Sequence, residues 1–239
     1  MIILLLLSSF SMGQDLNSGI YQAFISGDMD LWYGTMVKME TKWKKTGNIN
    51  DLYDLTLAQY GYIAFSMAVK EKKRAASYVV MAERNTIQMI NHDVNWARAH
   101  ALMGAIYGFK VGQEPFKAPV YGRRSFDENE IAMKLDPGDP QVWMERGNIE
   151  HYKPSIFGGN KKDAIIYYKK AITLYEKEPE TSERNWLYLN TLSGLASVYV
   201  KTGQANEANT TYLKILRIEP SFQWVRDEVY PAFKEKYGF

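Results

Sequence analysis

Between Leu189 and Phe222, small and large apolar side chains recur at a spacing that suits two antiparallel helices packed on one another. Within TLSGLASVYVKTGQANEANTTYLKILRIEP, residues Leu192, Leu195, Ala196 and Tyr199 fall three and four apart, on one face of a first helix. Gly203 supplies a left-handed stop. Ala208, Tyr212 and Ile215 then share one face of a returning helix, and Pro220 ends the unit. The small Ala196 and Ala208 let the two helices approach, while the rings of Tyr199 and Tyr212 fill the seam. One such hairpin cannot bury its face alone, so a chain built of them has to stack them.

Looser copies precede this one. Ala164, Tyr168 and Ala171 repeat the returning-helix pattern after Trp143 and Gly147, with KPSIFGGN inserted between. Met103, Gly104 and Tyr107 pair with Ala132, Leu135 and Pro137 across a longer insertion, KVGQEPFKAPVYGRRS, which reads as a loop. Leu57, Tyr60, Gly61 and Ala64 lead to Ala75, Val79 and Ala82; a degenerate first unit turns at Gly27 and carries Trp32, Met36 and Met39. The pattern resembles the tetratricopeptide repeat family, whose unit of about 34 residues carries W-x2-L-G-x2-Y, A-x3-F and a closing Pro. The resemblance implies an all-α fold, a tetratricopeptide-like α-solenoid of four to five helical hairpins. The expected units are 15–48, 54–92, 96–138, 139–180 and 189–222, with a capping helix over 223–237 and one domain over 14–239.

The first thirteen residues differ from the rest. MIILLLLSSF is too short an apolar run to span a bilayer, and Ser11 and Gly13 stand where a signal peptidase prefers small residues. This predicts a cleavable signal over 1–13 and a periplasmic or secreted protein. No cysteine occurs, which excludes disulfides, thiolate metal sites, a cysteine nucleophile and a lipoprotein anchor. With 29 basic against 27 acidic residues, no net field draws the chain to nucleic acid or to an anionic membrane, so any charged site has to be local. No stable membrane anchor is expected.

Catalytic groups are sparse. His92, His100 and His151 lie in separate units without metal-ligand spacing, and no G-x-S-x-G, S-x-x-K or phosphate-loop motif occurs. Gly158 and Gly159 read as a turn before a helix capped by Asn160. The sequence therefore predicts no enzyme, no cofactor and no metal.

Two surfaces could recognise a partner. In such repeats the first helices line the inner, concave face; by position this gives Tyr62, Phe65, Arg98, Gln141, Met144, Asn148, His151, Asn190, Ser193 and Ser197. Mixed rings and amides suit an extended peptide or a helix. The second surface is the inserted stretch, where Phe116 and Tyr121 stand among Lys117, Arg123 and Arg124 in a segment held by Pro115 and Pro119. Either those rings face a partner or they fold back to plug the gap that the insertion opens. ALMGAIYG, EPFKAP, KPSIFGG and NWLYLN resemble an exported bacterial tetratricopeptide group akin to the T-component of tripartite ATP-independent periplasmic transporters. That resemblance implies association near a substrate-binding protein and the handling of hydrophobic ligands. The leading expectation is an exported protein-interaction scaffold that holds a protein or peptide segment on its concave face. The alternative is an accessory of a periplasmic transport system carrying a hydrophobic small molecule.

Overall fold

The computed structural model describes residues 11–239, with side chains from Leu16 onward, and all its regular structure is helical. The apolar run Met1–Phe10 lies outside the described residues. Five hairpins follow in order: α1 (Ser11–Ser26) with α2 (Met29–Thr46), α3 (Ile49–Ala68) with α4 (Lys72–His92), and α5 (Ala97–Gln113) with α6 (Ala118–Leu135). Then come α7 (Pro140–Tyr152) with α8 (Lys161–Tyr175), the short α9 (Pro179–Ser182), and α10 (Trp186–Lys201) with α11 (Ala205–Ile218). A π-helical stretch, Trp224–Val229, runs into the last helix, α12 (Tyr230–Tyr237).

Local chemistry sets most of these limits. Asp28, Asn48, Asp139, Asn160 and Asn185 accept hydrogen bonds from the first free backbone N–H groups of the helices they precede. Gly203 turns α10 into α11 at φ +74°, a conformation that favours glycine. In this last hairpin Leu192, Ala196, Ala208, Tyr212 and Ile215 are all buried, as their spacing requires. Gly147 answers the same need further upstream, since a Cβ there would meet the Tyr168 ring at 2.6 Å.

One expectation is corrected. The stretch expected as a loop after Lys110 is mostly helix: α5 continues to Gln113, Pro115–Lys117 form a 3-10 turn, and α6 starts at Ala118. Pro115 and Pro119 each stand at the start of a helical segment, where the missing N–H costs nothing, so the insertion lengthens the hairpin instead of interrupting it. The shorter insertion does form a turn. Gly158 takes φ +82°, and the Gly159 backbone passes so close to the Lys153 carbonyl that no side chain fits.

The hairpins do not form an open crescent. Trp32 of α2 donates its indole N–H to the Ala58 carbonyl at 3.0 Å, and its ring meets Trp186 of α10 edge-on at 5.2 Å. Phe24 of α1 packs on Trp32, on Trp186 and on Phe222, with its ring 4.9 Å from that of Phe222. Tyr60 of α3 completes the cluster against Trp186. Gly61 makes room for it, since a Cβ there would collide with the Trp32 ring. Polar latches border the rings: Tyr21 donates to Glu219 at 2.7 Å, and Arg184 donates to Ser18 at 2.8 Å. The first hairpin is thus closed against the last through a cluster of aromatic side chains.

Candidate functional site

Packing between helices decides how much of the expected inner surface is accessible. Tyr62, Gln141, Met144, His151 and Ser193 are buried; Phe65, Asn148, Asn190 and Ser197 are half-buried; only Arg98 is exposed. Tyr62 is covered by Tyr33, Tyr78 and Arg74, Gln141 accepts from the Tyr53 hydroxyl, and Arg98 donates to Asp139 at 2.5 Å. These contacts hold helices together within and between hairpins. With five of the ten expected residues buried among neighbouring helices, the set does not form one continuous accessible surface.

Two of the expected residues, Asn148 and His151, belong instead to a buried network that spacing alone does not reveal. Lys201 of α10 donates to Nε2 of His151 at 2.9 Å; an ammonium has no lone pair, so the imidazole proton sits on Nδ1. Nδ1 faces the Tyr168 hydroxyl at 3.2 Å, and that hydroxyl donates to Oδ1 of Asn148 at 2.6 Å. The Asn148 amide then donates to Glu145 at 3.0 Å, and the Tyr60 hydroxyl lies against the same carboxyl. Every donor in the network points from Lys201 toward Glu145. Burial pushes the Glu145 carboxyl up to about 7, against the weaker pull of Asn148 and Tyr60. Burial, with Lys201 and Lys161 nearby, drops His151 to about 3, so it is neutral at physiological pH. Glu145, Asn148 and His151 recur every three residues on α7, a polar stripe that is visible in the sequence. Tyr60, Tyr168 and Lys201 come from other helices, and no local signal points to them.

The other surface is the edge formed by the turns inside the hairpins, where first helix passes to second. Phe116 does not fold back: it is 78% exposed. Tyr121 stacks on Tyr107, and Lys110 lies over both rings. Lys117 pairs with Glu114, Arg123 pairs with Asp127, and Arg124 lies over Tyr107. On the next turn along the same edge, Ile156 is 86% exposed and Tyr152 is 71% exposed. With Phe116 these are the three most exposed large apolar side chains among the described residues.

Comparison with known proteins agrees with this architecture. Residues 189–222 match the tetratricopeptide repeat family. No curated protein matches the chain. Among solved structures, the chain is similar to TTC0263, a thermophilic tetratricopeptide protein of Thermus thermophilus, at a TM-score of 0.62 and 16% identity, covering 92% of this chain and 97% of that one. It is also similar to the HusA haemophore of Porphyromonas gingivalis, at a TM-score of 0.57 and 15% identity, covering 82% of this chain and 97% of that one. The chain therefore contains a tetratricopeptide repeat, and its described residues form an all-α solenoid of that type. Folds of this kind generally serve protein–protein interaction and typically act as scaffolds without catalysis.

Proposed function

We propose that the chain is an exported protein-interaction scaffold and that a partner segment lies against the part of the inner face left open beyond the aromatic closure. The supporting observation is the half-buried pair Asn190 and Ser197, seven residues apart on α10, whose amide and hydroxyl can pair with an extended backbone. Export rests on the apolar run and the small residues at Ser11 and Gly13. Among the described residues no helix is long and apolar enough to cross a membrane.

A photocrosslinking amino acid at Asn190 or Ser197 should capture a discrete partner from the native compartment, and one at the exposed Ile166 of α8 should not. Capture from Ile166 alone would contradict the reading.

The second reading, carriage of a hydrophobic small molecule, draws on the likeness to a haemophore. It requires the Phe24–Trp186 cluster to part, and it predicts a lipophilic compound in organic extracts of the purified protein. Mass spectrometry of such an extract tests it.

A further inference from the structure

The two long edges of the solenoid differ in charge. The turns inside the hairpins, residues 26–29, 68–74, 110–124, 150–163 and 200–207, hold 12 Lys and Arg against 6 Asp and Glu. The turns between hairpins and before the cap, residues 44–51, 91–98, 134–141, 175–186 and 217–224, hold 7 against 9. A chain of nearly balanced total charge thus carries a basic edge opposite a faintly acidic one. On the basic edge Lys70, Lys72, Lys73, Arg124 and Lys162 have no ion pair among the described residues. Phe116, Tyr152, Ile156 and Phe157 project from that same edge.

A single exposed apolar residue needs no explanation. The coincidence of the most exposed apolar tips with the surplus of cations does. Phe116 and Ile156 stand on different hairpins, each at the tip of its own turn, so no one groove joins them. A planar acceptor can meet both at once. Rings and long aliphatic side chains flanked by lysines suit the headgroup region of a bilayer, where the apolar tips enter the acyl boundary and the cations stay with the phosphates. We infer that this edge docks reversibly on a lipid surface bearing anionic phospholipids. Docking there would leave α12 and the opposite edge free, and it uses none of the inner-face residues assigned above to a protein partner.

Flotation with phosphatidylglycerol-rich vesicles, compared with pure phosphatidylcholine, tests this. The chain should float with the anionic vesicles at low salt and be released as salt rises. Combining Phe116→Ser, Ile156→Ser and Phe157→Ser should weaken binding about tenfold or more while leaving helicity unchanged, because all three side chains are solvent-exposed. The Met1–Phe10 run is the same in every variant, so the difference between variants reads the edge. As the chain has no cysteine, Ile156→Cys can carry an environment-sensitive dye that should shift to the blue on vesicles, whereas Lys134→Cys on the opposite edge should not respond. Flotation undiminished in the triple variant would overturn the inference. So would absence of flotation together with retention on a polyglutamate matrix, which would assign the edge to an acidic protein. Loss of crosslinking at Asn190 and Ser197 with flotation intact would sink the partner-segment reading alone.

Discussion

The last hairpin and the closure it takes part in are held together by different kinds of information. In α10 and α11 the seam joins residues within one repeat, and the small-large alternation of Ala196, Tyr199, Ala208 and Tyr212 states it outright. The closure joins Phe24, Tyr60, Trp186 and Phe222, which lie far apart in the chain and share no period. Side-chain spacing specifies a unit and its neighbour; the shape of the whole stack is decided by whether its two ends present complementary surfaces. Here they present rings, and the first hairpin is held against the last.

The largest expected effect lies in the closure. Trp186→Ala removes the ring shared by Phe24, Trp32 and Tyr60, at a cost of about 4 kcal/mol. Hydrogen exchange should show α1 losing protection well before α11. Equal loss in both would mean that the two regions are one cooperative unit and would break the distinction.

Next comes Glu145, whose burial ties α7 to α3. Its carboxyl is raised from the usual 4.5 to about 7, so the folded state favours the protonated form. Its contribution is complete below pH 4.5 and is lost as pH climbs through 7, by ~3 kcal/mol. His151 works in the opposite sense: its depressed value costs stability as pH falls from 6.5 toward 3. Stability should therefore peak in mildly acidic solution. Because the two shifts nearly offset one another between pH 5 and pH 8, Glu145→Gln, which leaves only the His151 shift, should be more stable at pH 8 than at pH 5 in urea titrations.

Within the last hairpin, Ala208→Leu should cost about 2 kcal/mol by overpacking the seam against α10, a local effect that leaves the closure closed. Urea titration reads the loss, and the Trp186 environment should stay as it is. The smallest change is Tyr21→Phe. It deletes one latch to Glu219 and should cost about 1 kcal/mol in thermal unfolding.

Helix type, turn positions and the seam residues are legible in the sequence because each depends on neighbours a few residues away. The helical nature of most of 110–124 is not, because Pro115 and Pro119 look like loop residues unless their role as helix starts is considered. The inner-face residues fall on the expected helices, but their accessibility is not legible. Gly61 gives a partial hint: a glycine in mid-helix marks a close approach, although not which ring makes it. Likewise Asn148 and His151 read as inward-facing, while their partners Tyr168 and Lys201 emerge only once α8 and α10 are packed on α7.

Contact between the first and last hairpins closes the stack, and one distance tests it. The exposed positions Gln22 and Ser221 can be changed to cysteine in a chain that has none, spin-labelled, and measured by double electron–electron resonance. Closure predicts one narrow, short distance, set by the Tyr21–Glu219 hydrogen bond and the adjoining Phe24 and Phe222 rings. A broad distribution centred near 40 Å, roughly four interhelical steps of about 10 Å, would describe an open stack and contradict it.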